Sequence, residues 1–327
     1  MIFDAHGDIW TDVTAKTVDK GETDIFRRYH LKKFREGEVF GGIFVIWIDP
    51  PYDSDPQARS RQIVESIKKE MACSQDIIRY VTRFSDFEAA KKEGKLAVVT
   101  GMEGLSQIGE DIDLIDYFYK EAGARHAMLT WNEQNPLATG WIQDPERGVT
   151  DAGVRAIKRI QDLGMVLDVS HLNDKCFWDV MTHSGGPIIA SHSNSRTICP
   201  TKRNLSDEMI KEIAKTGGVV GMNSMREFVD EDVANQDVEH LVNHIDHIAD
   251  LVGIDHIGLG FDFDDYLEEG ALSAFSGHID SPSCDRISNE TEAKNVLLEM
   301  KKRGYSQEDL DKVGYQNFFR VFKEVWK

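Results

Sequence analysis

The chain predicts an α/β fold, a (β/α)8 TIM-type barrel with extra C-terminal helices. Three observations lead there. Short apolar or β-branched runs alternate with longer amphipathic stretches eight times, the pattern of parallel strands joined by helical crossovers. Glycines follow the helical stretches where left-handed C′ residues belong. A length of 327 residues, with eight such units, favours a closed barrel over an open sheet.

In chain order, the strand candidates are Met1–Ala5, Gly41–Ile48, Leu96–Thr100, His126–Thr130, Met165–Val169, Ile188–Ser191, Val219–Met222 and His256–Gly260. Helices are expected over Arg59–Tyr80, Asp113–Glu121, Ala152–Leu163, Asp174–Met181, Asp207–Thr216 and Val238–Val252. Gly123, Gly164, Gly185, Gly217 and Gly253 sit just past helix ends, and Thr150, Ser206 and Asn173 stand at N-cap positions. Glu290–Arg303, Gln307–Lys312 and Phe318–Trp326 read as closing helices. No linker divides the chain, so 1–327 is expected to be a single domain.

Composition narrows the function. With 38 basic and 57 acidic residues the net charge is −19, which disfavours nucleic acid or an anionic membrane as partner. No apolar run reaches transmembrane length, and chemistry-capable residues begin at position 6, leaving no room for a signal peptide. Cys73, Cys176, Cys199 and Cys284 show no CxxC spacing. The expectation is a cytoplasmic protein with reduced thiols.

Active sites of such barrels lie at the C-terminal ends of the strands. The first run ends in His6-Gly7-Asp8. In extended chain, residues two apart face one side, and an imidazole beside a carboxylate suits a divalent cation such as Zn²⁺. The third run ends in Gly101-Met102-Glu103-Gly104, the fifth in Asp168-Val169-Ser170-His171, the sixth in Ser191-His192-Ser193, and the eighth in Gly260-Phe261-Asp262. A lone histidine after a strand is usually structural. Five strands bringing ionisable groups to one rim is different, because burying them without a cation is costly. The ligands divide between two metals: His6 and Asp8 on one side, His171 and His192 on the other, with Glu103 able to bridge. Two such ions would bring a trapped water toward a pKa of ~7, and Asp262 could carry its proton to a leaving nitrogen. That is hydrolysis of an amide-like bond. In the loop after the sixth strand, Arg203 or Arg196 could hold a substrate carboxylate bidentately.

These words, in this order, resemble the membrane (renal) dipeptidase family, peptidase family M19, among the metal-dependent amidohydrolase-like barrels. The matching stretches are Asp4-Ala5-His6-Gly7-Asp8, Gly101-Met102-Glu103-Gly104, Leu129-Thr130, Asp168-Val169-Ser170-His171, Ser191-His192-Ser193, Arg203-Asn204, Gly258-Leu259-Gly260-Phe261-Asp262-Phe263-Asp264 and Gly314-Tyr315-Gln316-Asn317-Phe318-Phe319-Arg320. The resemblance implies a dipeptidase with two divalent ions, Zn²⁺ being expected, that hydrolyses small dipeptides by attack of a metal-bridging hydroxide. Some members accept a D-residue on the C-terminal side. His6 and Asp8 match the ligands of one zinc, and His171 and His192 those of the other. Glu103 matches the bridging carboxylate, Asp262 the proton relay, and Arg203 the arginine that binds the substrate carboxylate.

One position departs from the family. Where its animal members carry a substrate-contacting histidine after Leu-Thr, this chain has Trp131, with a single N–H donor. Trp131 could wall the pocket, and Asn132 or Asn135 could replace the missing donor. This keeps open an amidohydrolase acting on another carboxylate-bearing amide or lactam, and, more remotely, a non-catalytic metal-binding barrel. The long stretches Trp131–Gly148 and Phe263–Ser288 are expected to overhang the rim and set specificity, or else to form a homodimer contact. Asp264 would share the side of Asp262 if the strand continued. His240, His244 and His247 fall on an outer helix, where solvated or capping roles are expected, and His126 and His256 begin strands at the opposite rim.

Overall fold

A computed structural model describes residues 1–267 and 282–326. Among these, nine strands form one sheet: β1 (Ile2–Gly7), β2 (Val39–Trp47), β3 (Ile78–Tyr80), β4 (Leu96–Glu103), β5 (His126–Met128), β6 (Val166–Asp168), β7 (Ile188–Ala190), β8 (Val219–Met222) and β9 (Ile257–Leu259). Their order is β3-β4-β2-β1-β9-β8-β7-β6-β5, and the pairings are parallel. A bridge between Thr100 and Ala124, with the Arg125 N–H donating to Thr100 O at 2.9 Å, joins β4 to β5 and closes the cylinder. All eight expected strands line this barrel.

β3 was not expected. It lies within the stretch predicted as one helix over Arg59–Tyr80. That helix spans Pro56–Cys73, with the Asp55 side chain accepting from the Ala58 N–H at its start. Beyond it, Ile77 and Ile78 are buried, and Ile78–Tyr80 pair with Leu96–Val98. Helices Ile9–Lys20, Leu31–Glu36 and Ser85–Glu93 also went unpredicted. The three expected N-caps hold: Thr150, Asn173 and Ser206 accept from the N–H groups of Gly153, Cys176 and Met209. Of the five expected C′ glycines, Gly185 is the exception, the left-handed residue there being Gly186 at φ 85°.

Alternation along each strand decides what faces the lumen. Phe3, Ile43, Val45, Ala97, Val99, Val166, Ile189 and Val219 form one buried cluster with Phe318, Phe322 and Trp326. The C-terminal helix Asn317–Val325 thus plugs one end, Phe318 packing where a Cβ on Gly258 would fall 2.2 Å from its ring. Ile2, Phe44, Ile46, Val98 and Leu167 belong to the larger cluster beneath the helices. Glu103 shares the lumen parity of Ala97 and Val99 and so arrives inside the opposite mouth. No described helix is long and apolar enough to cross a membrane.

Candidate metal centre

Each side chain reaches the mouth by a local device. In β1, Asp4 pairs with Gly42 and Gly7 with Phe44, so Ala5 and His6 stand opposite Ile43 alone. Such a bulge re-aims a side chain, and His6 is fully buried. Extension does not continue to Asp8 (φ −80°, ψ 28°), which instead begins the next helix. Its N–H donates to Tyr266 Oη at 2.9 Å. His171 and Asp262 lie in the left-handed region at φ 69° and 63°, a conformation costing roughly 1–2 kcal/mol for a residue with a Cβ.

These residues converge. Glu103 turns Oε2 to His6 Nε2 at 3.4 Å and Oε1 to His171 Nε2 at 3.0 Å and His192 Nε2 at 3.7 Å. Asp262 Oδ1 lies 3.5 Å from His6 Nε2, and its Oδ2 accepts from Asn223 Nδ2 at 2.9 Å. The His6 and His192 rings stack at 3.7 Å between centroids. The Nε2 atoms of His171 and His192 are 2.8 Å apart. In two triplets, His6/Glu103/His192 and His6/Asp8/Asp262, ligand-type atoms lie within 4.8 Å of one another.

The charges are unbalanced. Burial pushes the Asp8 carboxyl well above its usual range, and Glu103 adds to the push. Burial also raises Asp262. Glu103 is held well below its range because His6 and His171 outweigh its burial. Burial would depress His6, but Glu103, Asp262 and Asp8 reverse that and lift it to about 10. His171 falls to about 4 through burial and Arg203, and His192 falls well below its usual value through burial, His6 and Arg203. Both ring nitrogens of His6 and Oδ1 of Asp8 lack hydrogen-bond partners despite burial. Three carboxylates, bare imidazole nitrogens and orphaned donor atoms in one pocket fit divalent cations, which would replace the proton on His6.

Arg203 and Arg196 separate cleanly. Arg203 is buried, donates Nη1–H to Ser193 Oγ at 2.8 Å and places Nη2 3.1 Å from His171 Nε2. Its Nε has no hydrogen-bond partner, and Phe228 covers the guanidinium at 5.5 Å. Arg196 faces outward and pairs bidentately with Asp174. Trp131 stands beside the site, 6.3 Å from His171 and edge-on to Trp47 at 5.3 Å between ring centroids.

Asn135 is spent on its own loop. Its Oδ1 accepts from the Leu137 and Ala138 N–H groups, and its Nδ2 donates to Leu129 O and Glu133 Oε1. The strand stops before Asp264, which is buried with Oδ2 unpartnered. His240 pairs with Asp237 at its helix start, His247 with Asp207, and buried His244 bonds Ser195 N and Val229 O, so none belongs to the site. His278 and residues 268–281 of the second long loop lie outside the described residues.

Sequence reasoning missed the layer beneath the candidate ligands. His126 does begin its strand, but it points into the lumen, its Nε2 2.7 Å from Asp168 Oδ2. Asp168 Oδ1 accepts from the N–H groups of Ser170 and Ser191 at 2.8 and 3.2 Å. One buried carboxylate therefore fixes both segments that carry His171 and His192. Gly101 was the available signal: a Cβ there would fall 2.5 Å from His126 Nδ1.

Comparison with known proteins places the chain in a family. The family profile described as membrane dipeptidase (peptidase family M19) matches residues 1–327. An uncharacterized protein in the pqqA 5′ region of Klebsiella pneumoniae is 32% identical over 80% of this chain and 94% of its own length. Dipeptidase tcpJ of Claviceps purpurea is 25% identical over 92% of this chain and 70% of its own. Among solved structures, a metallo peptidase from Rhodobacter sphaeroides, liganded with a phosphinate mimic of L-Ala-D-Ala, superposes with a TM-score of 0.86 at 23% identity, covering 99% of both chains.

Proposed function

Because the chain belongs to the membrane dipeptidase family, peptidase family M19, and is thus a metallo-dipeptidase, we propose that it hydrolyses small free-acid dipeptides with two divalent ions, Zn²⁺, at the barrel mouth. What carries the reading is Glu103, whose two carboxylate oxygens face His6 on one side and His171 and His192 on the other. His6, Asp8 and Glu103 would hold one ion, and His171, His192 and Glu103 the second. When bound, such ions polarise a carbonyl and acidify water.

The chain's own groups do the rest. Asp262, with its carboxyl raised by burial and steadied by Asn223, takes up a proton at Oδ1 and returns it to the departing amine. Arg203 offers its guanidinium to the substrate's terminal carboxylate, restricting substrates to those with a nearby free acid. Trp131 walls the pocket, and Asn135 holds the loop rather than the substrate. The phosphinate on the Rhodobacter protein mimics a dipeptide with a D-residue, which supports extending the substrate range to L-Ala-D-Ala. Four free cysteines are in keeping with a cytoplasmic location.

The test is hydrolysis by metal-reconstituted protein of L-Ala–L-Ala, L-Ala–D-Ala, their C-terminal amides and an N-acetyl amino acid. Cleavage of the free acids but not the amides is expected. Asp262→Asn should abolish turnover while both ions still bind. Cleavage of the acylated compound alone would move the assignment to another class of amide.

A further inference from the structure

His171 holds a left-handed backbone at φ 69°, so something must keep it there. Two bonds from the overhanging loop hold it, one from Trp141 and one from Asn132, which Trp141 in turn steadies. Its backbone N–H donates to His171 O at 2.8 Å. Its indole Nε1–H donates to Asn132 Oδ1 at 2.6 Å, and the same oxygen lies 2.8 Å from His171 Nδ1.

The chemistry of these atoms leaves one assignment. An indole N–H can only donate, so the Asn132 atom it meets is the carbonyl oxygen and not the amide nitrogen. A carbonyl oxygen can only accept, so His171 Nδ1 carries the hydrogen. Arg203 Nη2, which can only donate, lies 3.1 Å from His171 Nε2, so Nε2 is the bare lone pair, beside Glu103 and His192. The loop is folded to deliver this arrangement. Gln134 bridges Thr139 and Gly140 bridges Leu172. A Cβ on Gly140 would fall 2.5 Å from the backbone of Trp131 and Asn132, so only glycine lets the two arms of the loop close. Trp141 also meets Phe228 edge-on at 6.5 Å, the ring that covers Arg203.

We infer that Asn132 and Trp141 are positioning residues that lock His171 in the tautomer with Nε2 free to ligate, so that the loop over the mouth controls occupancy of the His171 side of the centre. The inference rests on the two-ion reading above. It extends that reading to residues that touch neither metal nor substrate. A partner that fixes a ligating imidazole typically changes metal affinity 10–100-fold when removed.

The experiment compares wild type with Asn132→Leu, Asn132→Asp and Trp141→Phe, each first checked for native circular dichroism. In metal-free protein carrying ¹⁵N-labelled histidine, long-range ¹H–¹⁵N spectra report the His171 tautomer directly. Wild type and Asn132→Asp, which keeps an acceptor, should show Nδ1–H, whereas Asn132→Leu should show a mixture. Co²⁺ titration followed by visible absorption should give two bound ions in wild type and Asn132→Asp. In Asn132→Leu one of the two should weaken by about 10–100-fold, with Trp141→Phe in between because it keeps the backbone bond. An Asn132→Leu protein with wild-type tautomer and wild-type Co²⁺ affinity would overturn the inference, as would equal losses in the Leu and Asp variants. If wild type bound no Co²⁺ at all, the metal reading would fall, while the metal-free spectra would still judge the clamp.

Discussion

Replacing Asp168 probes the layer on which both histidine segments stand. Its carboxylate accepts from Ser170 N, Ser191 N and the His126 ring, and none of these groups has access to water. Asp168→Ala orphans two buried amides at about 1–3 kcal/mol each and strands a partner of a buried pair, worth about 3–5 kcal/mol. The two figures share desolvation, so the expected loss is about 5 kcal/mol, a large part of a typical domain's stability. Asp168→Asn is the more informative change. Its carbonyl oxygen still serves both backbone N–H groups, but its NH₂ meets His126 Nε2, which must become an acceptor. The ring hydrogen then moves to Nδ1, an atom with no partner, at a cost of about 1–3 kcal/mol. Urea unfolding of metal-free protein, followed by tryptophan fluorescence, measures both variants. Burial raises the Asp168 carboxyl, but His126 and the backbone donors outweigh it and hold the group below 3.8. The stability it contributes is therefore present above that value and lost as pH falls through the lower folded one, and the gap to Asp168→Asn should close in acid. An Asn variant within about 0.5 kcal/mol of wild type at neutral pH, or an Ala variant losing under about 2 kcal/mol, would refute the reasoning.

Other positions give independent tests. Burial lifts Glu290 from 4.5 to about 7. A raised carboxyl contributes fully below its unfolded value, and that contribution fades as pH rises through the folded one. Glu290→Gln should thus match wild type near pH 4 and exceed it by up to about 3 kcal/mol near pH 8; an equal gain in urea melts at both would count against this. A Cβ on Gly260 would fall 1.9 Å from Ser191 O, so Gly260→Ala should cost about 3 kcal/mol and weaken metal uptake through His192. An unchanged melting temperature would show that the strands yield there. Arg203→Ala should raise KM for free-acid dipeptides by roughly 100-fold or more, whereas Arg196→Ala, losing an exposed pair with Asp174, should leave KM within about threefold; steady-state kinetics that rank them otherwise would reverse the assignment.

The barrel was legible because its strands are short apolar runs bounded by helix caps and glycines, signals that need only neighbouring residues. The convergence of the candidate site was legible for a related reason: His6, Glu103, His171, His192 and Asp262 each follow such a run within a few positions, and a barrel sends all strand ends to one rim. Features that depend on distant partners were not. The bulge that turns His6 inward exists only in the pairing of β1 with β2. Ile78–Tyr80 continues an amphipathic stretch and becomes a strand only because Leu96–Val98 lies beside it. Arg196 and Arg203 share one loop and one chemistry, and only Asp174 and Ser193 separate them. Asn132 could be named as a polar neighbour of Trp131, but not as the partner of Trp141 and His171.

The closing joint of the barrel has a consequence for how the molecule breathes. β2 and β4 are laced along seven residue pairs, whereas β4 and β5 meet through the Thr100–Ala124 bridge. A staved cylinder loosens first where its pairing is thin, here and at β1–β9, which pair through Asp4 and Leu259, so the amides around Arg125 should exchange with solvent sooner than those of Ile43 or Val99. Glu103 sits on one side of the β4–β5 joint and His171 on the other. Ions held between them would act as a hoop around the cylinder, and loading the centre should slow exchange at the Arg125 amide more than at amides on the far side of the barrel.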